Sequence, residues 1–539
     1  MKKNVVLISV ALLLMNTAFA GGILTNTNQS AQFARMLSRN ASIDLDAVYF
    51  NPAGLTQLKN GFYFALDNQS IFQTRSINSE FPLLNTHDYK GTVSAPVFPD
   101  AYAVYKMDKW AFSAGFGPNG GGGSAKYDKG LPSFEKQISS AVPALAGLSA
   151  LGYPVTGYGV DISFEGTSVF WGIQVGATYK INDIISVYGG ARYLPSKNTY
   201  TGGITNIQYG PTGALVNAQT YLSGAAAVAT AQAQLTGGAA ASMQPLVTAG
   251  AGGFTLAQVQ GAGYITAAQL AQLEGGLQSL GIPAAQVSVM TVSQAQTAYT
   301  TASATLTGKA TALTTTSAGM GDKHVDVAQT GTGFTPIIGV DIHLDKLNVG
   351  LKYEHKTTLT LTNSTKEDGT GLFPDGGKTG SDLPSIIAGG ADYQLLDKLK
   401  ISGSFDIYLD KNVSWGGNVY GQLRTIDKNY VELAFGLEYK LTDKFAVSAG
   451  YLNSNMGVSE QWQSDFSYEN DSHTEGLGFQ WNLNKKLVLD AGIMLTTYKD
   501  ATKTFDSSFD PLAASFGSYK ETYGKDTFVF AFGIGYKIF

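Results

Sequence analysis

The sequence predicts an all-β protein: a transmembrane antiparallel β-barrel of about fourteen strands with an N-terminal hatch, or plug, inside it. Three observations lead there. Charged residues make up only 14% of the 539, while Gly (64), Tyr (28) and Phe (28) are abundant; ordinary soluble domains carry about 25% charge. Beyond residue 20 there is no apolar run of about 20 residues, the length a helix needs to cross a bilayer. Several segments alternate large apolar residues with small or charged ones, which gives each strand one apolar face. Such a chain crosses lipid with strands that satisfy one another's backbone groups. The net charge of −5 is mild for this length and gives no reason to expect a nucleic-acid partner.

Residues 1–20 read as a cleaved signal peptide. Lys2 and Lys3 precede the short apolar run Val5 to Met15, and Ala18-Phe19-Ala20 supplies the cleavage site. Export of this kind places a barrel in the outer membrane of a Gram-negative bacterium. There is no cysteine, hence no disulfide, thiolate metal site or lipid-bearing cysteine. The strands themselves must hold the chain in the membrane. Residues 21–60 form the expected hatch. Phe33, Met36 and Leu37 recur at helical spacing within 29–39, and Phe50 leads into Asn51-Pro52-Ala53-Gly54, a firm bend.

Residues 61–539 supply the barrel. In the last strand Phe528, Phe530, Phe532, Ile534, Tyr536 and Ile538 alternate with Val529, Ala531, Gly533, Gly535 and Lys537. The large residues are expected to face lipid, and Gly533, on the small face, is expected to tolerate serine. The same alternation runs through 431–440, 399–409 and 171–180, leaving Asp406, Glu432, Glu438, Lys400 and Lys440 on the inner face as a salt-bridged wall. Short polar turns at 107–109, 182–183, 344–346, 396–398, 442–444 and 484–486 suit tight hairpins. Six turns on one side imply fourteen strands, centred near 67, 102, 113, 174, 190, 338, 354, 389, 405, 435, 449, 478, 492 and 533. The opposite connections are longer, at about 73–96, 118–167, 196–331, 362–382, 411–427, 455–472 and 499–525. Outer-membrane barrels commonly end in an aromatic residue read by the barrel assembly machinery. Phe539 ends this chain, although out of phase with the lipid-facing series.

The segment 196–331 is expected to be a long extracellular loop. From Thr201 to Met320 its only charges are Glu274 and Lys309. Leucine spacing predicts a helix over 266–280, and another is expected over 284–307. Two readings stand side by side: an apolar cap that gathers ligand, and a weakly ordered low-complexity insertion. Catalytic chemistry is not expected. His87, His324, His343, His355 and His473 lack metal-ligand spacing. Gly120 to Gly123 lacks the lysine and hydroxyl of a phosphate cradle and reads as a flexible loop start. No catalytic residue, metal or cofactor is assigned.

The run Ala41 to Leu55, ending in Asn51-Pro52-Ala53-Gly54, resembles the hatch motif of the FadL/TodX family of outer-membrane transporters. Gly115-Phe116-Gly117-Pro118-Asn119-Gly120, followed by Tyr127, is similar to that family's glycine-proline strand end. The resemblance implies passive transport of hydrophobic compounds, most of all long-chain fatty acids, with aromatic hydrocarbons as the other ligand class. Capture would be external and release sideways into outer-membrane lipid. It assigns Asn51, Pro52, Ala53 and Gly54, with Phe33, Met36, Leu37 and Phe50, to the hatch and ligand path. It places Gly117, Pro118, Asn119, Gly120 and Tyr127 in a strand-end loop near the lateral gap. Two alternatives are a general diffusion porin and a surface structural or adhesive protein. A hatch favours the transporter, since an open porin has no use for a plug.

Overall fold

Alternating side chains do close into a wall. The computed structural model describes residues 25–413 and 426–539; the signal-peptide and cleavage readings lie outside the described residues. Among the described residues fourteen wall strands follow one another in antiparallel pairs. They are β1 Gly61–Ser79, β2 Asp88–Met107, β3 Trp110–Tyr127, β4 Gly157–Lys180, β5 Ile185–Gly210 and β6 Lys323–Leu344. β7 runs as Leu347–Glu354 and Thr360–Asp368, and β8 as Lys378–Gly380 and Ile386–Leu396. β9 Leu399–Tyr408, β10 Tyr430–Lys440, β11 Phe445–Asn455 and β12 Ser472–Asn482 follow. β13 is Leu487–Tyr498 with Ala501–Phe505, and β14 Tyr519–Lys537 pairs with β1 to close the ring. All fourteen expected strand centres fall on these elements or, near 354, at the joint within β7. The six tight turns lie between them where the polar residues put them.

The wall's two faces differ as the alternation requires. Phe528, Phe530 and Phe532 are 44%, 49% and 42% exposed, while Val529 and Ala531 between them are buried. Leu433, Phe435 and Leu437 point outward and Glu432 and Glu438 inward. No helix among the described residues is long and apolar enough to cross a membrane.

The strands run further than the apolar alternation does. β1 ends at Ser79 and β2 begins at Asp88, so the connection is 80–87 rather than 73–96. β3 continues to Tyr127, so 117–127 is strand and neither a strand-end loop nor a flexible loop start. β5 reaches Gly210 and β6 starts at Lys323, which leaves 211–322 outside the wall strands instead of 196–331. Outward residues such as Lys90 and Thr92 are polar in these extensions. The apolar signal stops there, while backbone pairing continues from Ile204 opposite Lys323 and from Gly91 opposite Tyr127.

Gly533, the position expected to tolerate serine, sits tight against the inner face. A Cβ there would lie 1.9 Å from Asp67 Oδ1 and 3.0 Å from Ala31 Cβ. The inner face carries further glycines where the hatch backbone presses on the wall: a Cβ on Gly350 would be 2.2 Å from Asn40 O, and one on Gly492 2.7 Å from Arg35 N. Substituents at these positions would push the hatch off the wall.

By contact density the described chain forms two compact units, one of residues 25–136, 162–204, 323–413 and 426–539, the other of 137–161 and 205–322. The second is helical. Ala218–Thr248 and Val292–Gly319 run antiparallel, as paired contacts show: Ser223 Oγ to Ser317 Oγ at 2.8 Å, Ser303 Oγ donating to Ala233 O at 2.8 Å, and Gln296 Nε2 to Gln244 Oε1 at 2.8 Å. The expected helix at 266–280 is Ala267–Ser279. The one expected at 284–307 is instead a turn, Ala284–Val287, and a long helix that starts at Val292. Thr291 and Gln294 form a capping box there. Threonines along that helix donate their hydroxyls to the carbonyl four residues back, as Thr311 does to Thr307 O. The segment's Leu256, Leu277, Val292 and Met243 are folded into a core of its own, while Leu235, Phe254, Tyr264 and Val289 remain exposed.

Candidate ligand chamber, hatch and wall gap

The hatch is pinned by buried charge. α1 (Ala31–Met36) begins at Ser30, whose hydroxyl accepts from Phe33 N at 3.0 Å. Arg35, fully buried, donates from Nε to Asp490 Oδ1 at 2.8 Å and from Nη1 to Glu438 Oε2 at 2.5 Å. Arg39 holds Asp46 at 2.7 Å and Asp44 at 2.8 Å. A guanidinium out of water needs such partners, and losing one would strand a buried charge. Part of the expected salt-bridged wall therefore reaches the hatch: Glu438 meets Arg35, and Asp406 accepts from Asn40 Nδ2 at 2.9 Å.

The Asn-Pro-Ala-Gly bend is a joint. α2 (Ala47–Phe50) stops at Asn51, and Pro52–Gln57 makes one 3₁₀ stretch. Asn51 Nδ2 donates to Ser42 O at 3.1 Å and to Asp341 Oδ1 of β6 at 2.7 Å. Pro52 O accepts from Thr178 Oγ1 of β4 at 2.7 Å, and Ala53 packs on Tyr188 and Ile337. A Cβ on Gly54 would be 2.6 Å from the Asn51 amide nitrogen. Phe50 stacks on Phe33 with ring centroids 5.6 Å apart. Met36 and Leu37 press on Gly436 and Gly450. Of the eight hatch residues assigned to the ligand path, Phe33 lines the cavity described next and the other seven do not.

That cavity, about 140 Å³, is lined by the apolar residues Phe33, Ile71, Val93, Phe98, Leu452 and Met494 among others. Its lining also carries the ion pair of Lys525 Nζ and Glu469 Oε2, 2.9 Å apart, with Asn470, Tyr498 and Thr527. Glu432 also borders it, satisfied by the hydroxyls of Tyr408 at 2.9 Å, Ser454 at 3.1 Å, Thr27 at 3.3 Å and Tyr430. Apolar walls with a few converging polar groups bind a ligand that is apolar over most of its length and polar at one end. Among the described residues no three His, Asp or Glu side chains are placed to hold a metal ion.

Beside this chamber the wall loses its backbone pairing. β2 and β3 are paired over Gly91–Ser94 with 124–127, and again over Ala101–Met107 with 110–116. Between these stretches, 95–100 and 117–123 form no ladder with each other, although each stays paired to its other neighbour, β1 or β4. Pro96, Pro99 and Pro118 fall inside the gap, and proline has no N–H to give to a ladder. β3 turns there through Gly121 and Gly123, whose φ of 77° and 90° suit glycine. The first described residues of the hatch take the place of β2. Thr25 pairs with Gly120, Asn26 N donates to Asn119 O at 2.9 Å, Gln29 Nε2 donates to Pro118 O at 2.8 Å, and Asn26 Nδ2 reaches Gly121 O. Phe98 from β2 and Gly121 and Gly122 from β3 all line the chamber.

Thus Gly117, Pro118, Asn119 and Gly120 form a kink within a strand. Tyr127 is not with them: it lies opposite Gly91 at the far end of β3, buried beside Tyr468 and Arg75. Sequence reasoning missed Phe98, Lys525 and Glu469. The doubled proline in Pro96-Val97-Phe98-Pro99, within an otherwise strand-like stretch, was the signal available for Phe98. Nothing local marks the other two.

No protein-family model and no curated protein matches the sequence. Solved structures match by fold. The crystal structure of a Pseudomonas aeruginosa FadL homologue aligns with a TM-score of 0.56 at 13% identity, covering 98% of this chain and 100% of that one. The Pseudomonas putida toluene transporter TodX gives 0.47 at 12% identity, covering 92% and 95%. The Ralstonia pickettii toluene transporter TbuX gives 0.44 at 14%, covering 91% and 93%. The first likeness establishes a common fold over nearly the whole of both chains.

Proposed function

We propose that this protein is a non-enzymatic channel of the Gram-negative outer membrane. It carries hydrophobic compounds, foremost long-chain fatty acids, from a chamber above the hatch sideways into the lipid. One observation carries the reading. The stretch of wall that lacks backbone pairing, 95–100 against 117–123, adjoins the cavity through Phe98, Gly121 and Gly122. A lipophilic molecule in the chamber has apolar walls behind it and the lipid-facing belt beyond the gap. Partition into acyl chains drives it outward without an energy source. The common fold with a FadL homologue supports this reading. The Lys525–Glu469 pair in the chamber lining favours a ligand with a polar head over a plain hydrocarbon. Export by a cleaved signal and insertion by the barrel assembly machinery are part of the same proposal.

The test is uptake of labelled oleate and labelled toluene by cells with matched amounts of folded protein. Replacing the ion pair together (Lys525→Met with Glu469→Leu) avoids stranding one charge. It is expected to lower oleate uptake several-fold and to leave toluene uptake within about twofold. Equal loss of both would remove the fatty-acid assignment. No dependence of either ligand on the protein would remove transport altogether.

A further inference from the structure

The outer belt of β1 is interrupted by two polar residues. Phe64, Leu66 and Phe72 point outward and are 42%, 52% and 48% exposed. Asn68 and Ser70 occupy the same outward series, while Asp67 and Gln69 are buried inward. Their partners on β14 are Phe532 and Phe530, so both polar side chains sit within the apolar band. Polar groups there are costly unless paired.

Both are paired to one place. β2 carries an extra residue opposite them: Gln69 faces Phe98 and Ile71 faces Ala95, so two steps on β1 match three on β2. Pro96 and Val97 are both turned outward by this bulge, Val97 to 70% exposure. Asn68 Nδ2 donates to Pro96 O at 3.2 Å, and Asn68 Oδ1 accepts from Phe98 N at 3.1 Å. Ser70 Oγ donates to Pro96 O at 2.8 Å. The amide of Asn68 thus bonds both sides of the bulge, supplying the donor and acceptor that the ladder lacks there. Phe98, whose backbone it holds, is the residue that lines the chamber on the β2 side of the gap.

We infer that Asn68, assisted by Ser70, is a lipid-side clasp that sets the position of Phe98 and hence the width of the wall gap. It is a positioning residue for lateral release, and its effect on transport rests on the reading given above. An asparagine placed in the belt merely by tolerance makes the opposite forecast. Asn68→Leu would then improve the apolar surface and change nothing else.

The chain has no cysteine, so a single Val97→Cys carries a spin label without interference. In purified protein in liposomes, Asn68→Leu should raise the mobile fraction of the label about five- to tenfold, the effect of losing one or two net hydrogen bonds. In cells it should raise the maximal rate of oleate uptake and leave the half-saturating concentration unchanged. Ser70→Ala should do the same to a smaller degree, and it carries the test if Asn68→Leu does not assemble. A label as immobile in both variants as in the parent overturns the clasp. A mobile label with unchanged uptake keeps the clasp and removes lateral release at this gap.

Discussion

Two seams of the wall, two strands apart, are built in opposite ways. Where β14 closes on β1, pairing runs without a break from Tyr63 opposite Lys537 to Ser79 opposite Glu521. Where β2 meets β3, the middle of the seam is unpaired. The closing seam, which joins the two ends of the wall and has no hairpin to hold it, is the intact one. The open seam is joined by a tight turn at Asp108 and Lys109 and still parts. The gap is therefore a consequence of what stands in those strands. Three prolines withhold N–H groups, two glycines adopt positive φ, and a hatch segment bonds to β3 where β2 would have been. A wall of uniform strands would be stronger and would lack the side exit that the proposed function requires.

The largest expected effect breaks the intact seam. Phe532→Arg, facing lipid on β14, costs roughly 2–4 kcal/mol near the midplane and should abolish the heat-modifiable folded band on gels. Gly533→Ser, one residue on and facing inward, should leave the band but displace the hatch, seen as new sensitivity to large polar antibiotics. A normal antibiotic profile would show that the hatch does not rest on that glycine.

Next in size is closing the open seam. Pro96→Thr, Pro99→Val and Pro118→Thr together restore three N–H donors and strand-compatible backbone. The triple variant should be at least as stable as the parent and take up oleate about tenfold more slowly, since each net hydrogen bond is worth roughly 1 kcal/mol. Undiminished uptake would mean that the route does not pass through this seam.

A smaller effect lies in the connection 456–471. Asp465 is buried there and accepts from Ser133 N at 2.7 Å. Burial, then the nearby Glu521, pushes its carboxyl up to about 6, against the pull of Lys136 and Ser133. The folded form therefore holds the proton more tightly than the unfolded chain, whose carboxylate titrates at roughly 4. Its stabilising contribution is complete below about pH 4, falls as pH rises through about 6 and is constant above. Amide-exchange protection of this connection should drop between pH 4 and 7, and Asp465→Asn should flatten the profile. A pH-independent parent would contradict the assignment.

The smallest effect concerns the helical unit. Removing 218–319 and joining the ends with a short glycine-serine link leaves every wall strand whole, because β5 ends at Gly210 and β6 begins at Lys323. The folded band and oleate uptake should persist. A deletion of 201–320 cuts into β5 and should fare worse; equal outcomes would mean that the outer part of β5 contributes nothing.

The strand number and the short turns were readable from the chain because both are local. Period-two alternation and an Asp, Asn or Lys turn are written within a dozen consecutive residues. So was the helix at 267–279, from its leucine spacing. The ends of the strands were not, since past the lipid belt the outward residues are polar and pairing leaves no apolar trace. The site was legible only as a bend and as a strand-end loop that the structure turns into a kink within β3. Asn51 to Gly54 proved to be the joint that ties the hatch to β4 and β6, and Gly117 to Gly120 the edge of the gap.

What tertiary structure alone decided is which distant residues meet. Arg35 finds Glu438 across 403 positions of sequence, Asn51 finds Asp341 across 290, and Lys525 finds Glu469 across 56. Each of these is an ordinary residue in its own neighbourhood. Burial selects the pairing, because a charge or amide removed from water must find its partner on whatever strand the closed ring brings opposite. Local residue pattern was enough for a fourteen-strand wall and the places where it turns. Where the wall parts, and what fills the space behind the gap, followed only once the ring had closed around the hatch.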